Sequence, residues 1–481
     1  MNDPILYWND VALAANRADF TREKPEQGGP TLSSRALAIV HLAMYDAYAG
    51  IINDPVNLPP YLSALPAPAA GASPDEAVAA AAHASLSALF PSQKMFFNTQ
   101  YAGAGLMMTG PTSGHLFGLE VARRILEDRK DDPGAGDDGY APMTGRGMHR
   151  ADPDNPMQGY HAPFYGAWSK CFAVTARHGL NKPPALVDPD YLKALKEVRG
   201  KGIAPELMGT LPPGYSKRTV DETLIGIYWG YDGASDIGTP PRWYNQIVRA
   251  VAMKKGNSVA DNARLFAFVN AAMADAGILA WDQKYEHNFW RPILGIREHD
   301  KSMGSTGMAN NNIDNDCDTS WLPLGAPSTN SYDEKIKVGK KNFTPPFPAY
   351  PSGHATFGAA ALQVTRLFYG VTTLGPDSLA AGCDFVSDEF NGMNRDNKGT
   401  VRPRHVRSFS KGLWQMIEEN GRSRVYLGVH WVFDAFAVKN NGEMDLSQDI
   451  GGVPLGLKIA QDIFTTGGGK APKKSTVGPK I

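Results

Sequence analysis

The sequence is poor in cysteine. Cys171, Cys317 and Cys383 are the only cysteines among 481 residues. They are far apart and odd in number, so they predict no disulfide framework, and no CxxC pair is present to bind a metal. The HExxH zinc motif is also absent. Any chemistry must therefore come from other side chains.

The sequence also lacks an excess of charge of either sign. The 48 lysines and arginines nearly match the 49 aspartates and glutamates, and the net charge is -1. No overall field draws such a protein to nucleic acid or to an anionic membrane, so we expect neither as a partner. An anion site would have to be a local cluster of Lys, Arg and His.

Long hydrophobic runs are missing as well. No uninterrupted run approaches 18 apolar residues, so we expect no transmembrane helix. The opening residues 1–8 lack a basic segment followed by an apolar stretch, so we expect no signal peptide. A mature form with its signal removed would look the same, and the compartment stays open.

Strand-like alternation is absent, and helical periodicity dominates. The patterns predict an all-α fold of two helical bundles with long irregular loops, divided into residues 1–200 and 201–481, with the active site in the second bundle. Loops are expected over 131–166 and 300–347, and a frayed tail from Thr465. The predicted helices are 33–51, 77–90, 113–128, 189–196, 220–231, 246–253, 260–281, 284–296, 353–369, 377–390, 408–427, 430–438 and 455–464.

Three segments of the second half concentrate chemical side chains. In the first, Lys284 and Arg291-Pro292 are spaced so that a helix places both cations on nearly the same face. Such a pair can hold an anion. The alternative is a solvated surface pair, because charged side chains on helices usually face water.

The second segment is Pro351-Ser352-Gly353-His354, which has the composition of a helix start. Helix starts offer free backbone N–H groups to anions, Ser352 adds a hydroxyl, and Gly353 allows close approach. The alternative is an ordinary serine cap followed by an incidental histidine.

The third segment contains Ser423-Arg424, His430 and Asp434. Arg424 can direct two donors at one oxyanion, and Asp434 can orient the His430 ring if the segment is helical. The alternative is a salt bridge at a helix end. Taken together, the three segments describe an oxyanion cradle with one histidine to bond the central atom and another to move protons.

In this order and spacing, Lys-x6-Arg-Pro, Pro-Ser-Gly-His and Ser-Arg-x5-His-x3-Asp resemble the signature of the vanadium haloperoxidase and type 2 phosphatidic acid phosphatase superfamily. Residues 345–357 and 451–464 are similar to the branch of fungal chloroperoxidases and their bacterial relatives. The early segments 7–10, 33–48 and 160–165 also resemble that branch, so the resemblance covers nearly the whole chain.

The resemblance implies a vanadate cofactor and an enzyme that uses hydrogen peroxide to oxidise halide, bromide and also chloride, to hypohalous acid, which halogenates a small organic acceptor. It implies that His430 bonds the metal and that His354 is the acid–base residue. Lys284, Arg291, Ser352, Gly353 and Arg424 would hold the oxygens, and Lys284, Arg291 and Arg424 would also assist catalysis.

Two aromatic side chains, Phe347 and Trp281, match positions near the site in the fungal enzymes. Algal bromoperoxidases have a histidine where Phe347 falls, which favours chloride competence here. Simple core packing is the alternative for both rings.

The loop from 300 to 342 is longer than its fungal counterpart, which leaves the halide preference and the organic substrate open. His41, His83, His115, His161 and His405 have no partner pattern and are expected to be packing or surface residues.

Three alternatives to a haloperoxidase remain at this point. The first is a phosphohydrolase of the same superfamily with His430 as nucleophile, since vanadate and phosphate suit the same donors. The others are a selective or non-halogenating step on one organic substrate and a non-catalytic oxyanion-binding protein in which His354 is idle. The sequence leaves the oligomeric state open and is compatible with a homodimer.

Overall fold

The computed structural model describes residues 3–105, 111–304, 307, 313–331 and 342–480, and their regular structure is almost entirely helical. The two strands in these ranges, β1 (Ala437–Val438) and β2 (Met444–Asp445), form one antiparallel pair. The predicted all-α fold is confirmed. The helices are α1 (Pro4–Asp19), α2 (Gly29–Ile52), α3 (Pro74–Leu89), α4 (Lys94–Gly103), α5 (Ser113–Asp128), α6 (Tyr165–Trp168), α7 (Pro189–Lys201), α8 (Val220–Tyr228), α9 (Pro240–Lys255), α10 (Val259–His287), α11 (Pro292–Arg297), α12 (Gly353–Phe368), α13 (Gly412–Tyr426), α14 (Val432–Ala435) and α15 (Gly452–Thr466).

Polar caps fix where several helices begin. The Asp3 carboxylate accepts the Leu6 N–H at 2.9 Å at the start of α1. Thr219 and Ser258 form capping boxes at the starts of α8 and α10. These side chains accept N–H groups that the first helical turn leaves without a partner.

The helices pack in two groups around the 29-residue α10. Helices α1 to α5 form one group, and α9, α12, α13 and α15 form the other, with α10 contacting α2 on one side and α12 on the other. Small residues permit the closest approaches. A Cβ on Gly456 of α15 would lie 2.5 Å from the Thr356 carbonyl oxygen of α12, and a Cβ on Gly118 of α5 would lie 2.2 Å from the Ala77 carbonyl oxygen of α3.

Within the part of the chain that the structure describes, two helices are long and apolar enough to cross a membrane by length and composition alone. They are α2, with a mean hydropathy of 1.2, and α10, with 1.4. The windows that give these values are 72% and 94% buried inside the protein. Central helices of a large core have this character because apolar neighbours surround them on most sides.

The predicted helix over 377–390 is wrong. Only a single 3-10 turn, Asp388–Phe390, forms in this range. The Asp377 carboxylate instead accepts the backbone N–H groups of Leu379, Leu413 and Trp414, which ties the chain to the start of α13. Gly382 then adopts a left-handed φ of 70°, which an α-helix does not accommodate.

Two other predicted helices are shorter or divided. The one expected over 284–296 breaks because Asn288 adopts a left-handed φ of 47°, and α11 restarts at Pro292. The one expected over 430–438 shrinks to α14, followed directly by β1. Both breaks lie beside predicted site residues. Helices α1, α4 and α6 were not predicted, and α6 begins inside the loop expected over 131–166. Helices α7 and α9 are longer than expected, and α8 and α13 are shorter.

The irregular regions follow the predictions in part. The described residues of 131–164 and 298–352 contain no named helix or strand, and residues 305–306, 308–312 and 332–341 of the second loop lie outside the described ranges. The predicted fraying of the tail is wrong. The Ser475 N–H donates to the Phe172 carbonyl oxygen at 2.8 Å, and the Lys480 N–H donates to that of Ala167 at 2.8 Å.

One buried carboxylate joins the segment after α6 to the central helix. Asp275 of α10 accepts the backbone N–H groups of Phe172, Ala173 and Val174 at 2.6, 2.7 and 2.9 Å. Burial raises the pKa of this carboxyl to about 6, while the three N–H donors act to lower it. A neutral amide cannot serve three donors in this way because one of its two polar atoms is itself a donor.

We therefore expect Asp275→Asn to lower the free energy of unfolding by about 3 kcal/mol, since buried N–H groups lose their acceptor. Urea unfolding followed by circular dichroism measures this change. Asp131→Asn, at an exposed position, is the matched control and should leave the midpoint unchanged. Equal midpoints for both variants would show that the Asp275 carboxylate does not hold this segment.

Candidate active site

A cavity of about 180 Å³ lies where the two groups of helices meet. Its wall includes six of the ten predicted site residues: Trp281, Phe347, Gly353, His354, Arg424 and His430. The other four, Lys284, Arg291, Ser352 and Asp434, are buried and in contact with the residues of this wall. The fold thus brings together every residue that the three sequence segments predict.

Lys284 and Arg291 are fully buried, so the alternative of a solvated surface pair is wrong. The Lys284 ammonium donates to the carbonyl oxygens of Pro348 and Ala349 at 2.8 and 3.0 Å. Arg291 donates through Nε to the Phe347 carbonyl oxygen at 2.9 Å. The two cations lie 5.1 and 4.9 Å from the centre of the Phe347 ring, respectively.

No carboxylate pairs with either cation within the described residues, and the pKa values reflect this. Burial, reinforced by Arg291, lowers the pKa of Lys284 well below its usual value. Burial lowers the pKa of Arg291 to about 9. The Asp434 carboxylate offsets these shifts only in part, so an anion arriving between the two side chains would stabilise their charged forms.

Asp434 orients the His430 imidazole, as the spacing predicts. His430 Nδ1 lies 2.7 Å from the Asp434 carboxylate, which also accepts the Trp431 N–H at 3.0 Å. On the other side of the ring, Arg291 Nη1 lies 2.9 Å from Nε2. A guanidinium only donates, so Nδ1 carries the proton and Nε2 presents its lone pair toward the cations. Burial raises the pKa of Asp434 to about 7.

The start of α12 supplies Ser352, Gly353 and His354. Ser352 caps the helix by accepting the Ala355 N–H at 3.4 Å, and its own N–H donates to the Asp434 carbonyl oxygen at 2.7 Å. A Cβ on Gly353 would lie 3.1 Å from the Trp281 ring, so a side chain there would press on the cavity wall. The sequence prediction of a helix start is confirmed.

His354 faces a carbonyl group and an ion pair. Its Nε2 lies 2.7 Å from the Gly230 carbonyl oxygen and 3.9 Å from the Asp232 carboxylate. Since a carbonyl oxygen only accepts, Nε2 carries the proton in this arrangement. Burial, with the nearby Arg424, lowers the pKa of His354 to about 3.

Asp232 is a site residue that sequence analysis missed. Its carboxylate accepts two bonds from Arg424, at 3.0 and 2.6 Å, and so anchors the guanidinium from the loop after α8. No motif surrounds Asp232 in the sequence. Only the fold brings this loop to the cavity.

Two histidines near the site were also missed. His161, expected to be a packing or surface residue, lies on the cavity wall between Thr31 and the rings of Trp281 and Phe347. His149 is buried, and neither ring nitrogen has a hydrogen-bond partner among the described residues. The resemblance over residues 160–165 was the one sequence signal that touched His161.

Buried donors without partners mark the end of the cavity next to His430. Arg291 Nη2 and Arg424 Nε are enclosed by protein and donate to no described group. The Lys284 ammonium donates to two carbonyl oxygens and has a third proton. Each unsatisfied buried donor costs about 1–3 kcal/mol, so the arrangement favours binding of an oxyanion.

Both halves of the chain match models of one enzyme family. Residues 1–160 match the N-terminal domain of vanadium chloroperoxidase, and residues 264–445 match its second helical-bundle domain. The chain is 36% identical over 575 aligned positions to the vanadium chloroperoxidase of Curvularia inaequalis, an alignment that covers 96% of this chain and 90% of the relative. The chain belongs to the vanadium haloperoxidase family.

Solved structures share the fold of this chain. A bacterial vanadium-dependent iodoperoxidase matches with a TM-score of 0.62 and 20% identity over 97% of both chains. A bacterial vanadium-dependent chloroperoxidase in its holo form also gives 0.62, with 15% identity, over 96% of this chain and 98% of that one. As a member of the family that the 36%-identical relative and the two domain matches show, the chain uses vanadate and hydrogen peroxide to oxidise halide.

The cavity fits vanadate. Vanadate is an oxyanion, and the unpartnered donors of Arg291 and Arg424 together with the Lys284 ammonium can satisfy its oxygens. His430 Nε2, which lies 2.9 Å from Arg291 Nη1, would offer its lone pair as a nitrogen ligand beside these donors. When bound, vanadate supplies a Lewis acid that activates peroxide.

We expect Asp434→Asn to weaken vanadate binding about 10–100-fold, because the carboxylate fixes the His430 tautomer that presents the Nε2 lone pair. Equilibrium dialysis against orthovanadate measures the dissociation constant. Asp138→Asn, at an exposed position, is the control and should bind vanadate like the unmodified protein. An unchanged vanadate dissociation constant in Asp434→Asn would show that the Asp434 carboxylate does not prepare His430 to bind vanadate.

Proposed function

We propose that this haloperoxidase holds vanadate between Lys284, Arg291, Ser352, Gly353 and Arg424, with His430 Nε2 as the metal ligand. One observation carries the proposal: unpartnered buried donors and an oriented imidazole lone pair meet at one end of a single cavity. The active site then lies mainly in the C-terminal bundle, within residues 201–481.

Lys284, Arg291 and Arg424 would together offset the negative charge of bound vanadate. Arg291 and Arg424 have fixed orientations, set by the Phe347 and Val429 carbonyl oxygens and by Asp232, respectively. Lys284 is held by two carbonyl oxygens with one proton to spare. Its ammonium would polarise bound peroxide, which makes the reacting oxygen a better target for halide.

His354 would be the acid–base residue. Its low pKa in the folded protein stems first from burial and then from Arg424. A bound oxyanion adds negative charge beside the ring, which favours the protonated form and raises that pKa toward the working range. The imidazole could then take a proton from peroxide and return one to the product.

The aromatic side chains of the cavity wall favour a site that oxidises both bromide and chloride. Phe347 and Trp281 pack with ring centres 4.8 Å apart and present hydrocarbon surface at the cavity. Phe347 stands where algal bromoperoxidases have a histidine, and the Curvularia relative is a chloroperoxidase by name. Hypohalous acid would then halogenate a small organic acceptor. A phosphohydrolase with His430 as nucleophile is the competing function, because phosphate suits the same donors.

The deciding experiment measures halogenation of a phenolic dye by chelator-treated protein, with peroxide and bromide, before and after addition of orthovanadate. We expect activity only with vanadate, competition by phosphate, and activity again with chloride in place of bromide. Hydrolysis of a phosphate monoester without any halogenation would favour the phosphohydrolase. Activity with bromide alone would overturn the proposed chloride competence.

We expect His354→Ala to lower kcat for bromide oxidation about 100-fold or more, because the acid–base group is lost while the cradle remains. Steady-state halogenation gives kcat, and equilibrium dialysis should show nearly unchanged vanadate affinity. His405→Ala, a histidine remote from the cavity wall, is the control. Full turnover in His354→Ala would mean that another group moves the proton.

We expect Lys284→Ala to retain the fold and to lower kcat about 100-fold, since one preorganised charge is removed from the reacting oxygens. The comparison uses protein saturated with vanadate, so that weaker binding and slower chemistry are separated. Lys398→Ala, at an exposed position, should match the unmodified enzyme. Unchanged turnover with intact vanadate binding would refute the role assigned to Lys284.

A further inference from the structure

We infer that His161, oriented by Thr31, is a halide-positioning residue of this haloperoxidase. The inference rests on the proposed vanadate placement, because the halide has to meet an oxygen held in that cradle. The His161 side chain lies on the wall of the cavity between the two groups of helices.

His161 lines the same cavity as His354, Arg424 and His430, and it packs beside the rings of Trp281 and Phe347. Its ring centre lies 5.9 Å from that of Trp281, in an edge-to-face arrangement, and 6.0 Å from that of Phe347. Phe347 in turn contacts the Lys284 and Arg291 cations. A halide in the cavity beside His161 would therefore be close to the cradle without touching its cations.

The backbone of His161 is fixed by the site itself. Its N–H donates to the Pro346 carbonyl oxygen at 2.8 Å. Its carbonyl oxygen accepts bonds from Trp281 Nε1 at 3.2 Å and from the Tyr285 hydroxyl at 2.7 Å. These three contacts tie residue 161 to α10 and to the segment that carries Phe347, so its position follows that of the cradle.

The side chain is fixed by the first turn of α2. His161 Nε2 lies 3.0 Å from the Thr31 hydroxyl. A Cβ on Gly29 would lie 2.2 Å from the imidazole, so the backbone of that turn is shaped around the ring. The geometry gives the imidazole one orientation at the cavity wall rather than a choice of several.

A neutral imidazole suits a transient anion. Burial lowers the pKa of His161 to about 4, so the ring is uncharged near neutral pH and carries a single N–H. When the Thr31 hydroxyl donates to Nε2, that N–H lies on Nδ1 and is available to an anion. Around it, Pro30, Trp281, Pro346 and Phe347 present mainly apolar surface. Such a wall removes water from a halide, and the N–H of the imidazole replaces part of the halide's hydration. Because the imidazole carries no full positive charge, the oxidised product can leave the site.

The test compares His161→Phe, which keeps an aromatic ring, with His161→Gln, which keeps an N–H donor. We expect His161→Phe to raise the KM for bromide about tenfold, equivalent to about 1.4 kcal/mol, with His161→Gln recovering most of the loss. Thr31→Val should give an intermediate rise. The KM for peroxide, the vanadate dissociation constant and Tm should remain nearly unchanged.

Anomalous diffraction from bromide provides a measurement independent of turnover. In vanadate-loaded crystals without peroxide, we expect a bromide peak within hydrogen-bond reach of a His161 ring nitrogen, and no peak there in His161→Phe. A peak that persists in His161→Phe would be an adventitious ion only and would overturn the inference.

Two kinetic outcomes would also overturn the inference. One is an unchanged KM for bromide in His161→Phe. The other is a parallel rise in the peroxide KM and the vanadate dissociation constant, which would make His161 a packing residue of the cradle. His430→Ala tests the vanadate placement separately, through loss of vanadate binding, so failure of the placement and failure of the halide site are distinguishable.

Discussion

The burial of Lys284 and Arg291, which form no ion pair with a carboxylate of the described residues, is the constraint on which the rest of the site depends. A buried cation is stable only if other groups replace its hydration, and here backbone carbonyl oxygens and the face of Phe347 do so. The carbonyl groups come from residues 347–349, which must therefore remain irregular so that their oxygens point at the cations. A neighbouring carboxylate would neutralise the pair and remove the attraction for an oxyanion.

Carboxylates are present in this core, but they bind other groups. Asp275 and Asp46 accept backbone N–H groups of loops, Asp232 pairs with Arg424, and Asp434 orients His430. Each one fixes a segment that has no regular structure of its own. The helices thus provide a rigid frame, and buried carboxylates attach to it the loops that carry the site.

Local sequence signals determined most of the helices. Apolar periodicity and caps act over a few residues, so α2, α3, α5, α10, α12 and α13 could be predicted without knowledge of their neighbours. The errors at 377–390 and 430–438 have a common physical cause. In both stretches the backbone pairs outside the helix: Phe385 forms a bridge with Arg407, and residues 437–438 pair with 444–445. The ordered tail likewise depends on distant residues 167–172.

By itself, the sequence determined the chemical composition of the site, because the spacing within each of three short segments fixes which side chains can act together. It thereby predicted the residues of the proposed cradle and, through the resemblance, the family. Only the tertiary structure decided that Lys284 and Arg291 are buried rather than solvated, that Asp232 holds Arg424, and that His161 reaches the cavity from the irregular segment before α6. These features join residues more than fifty positions apart, and no local pattern specifies which distant segments will pack together.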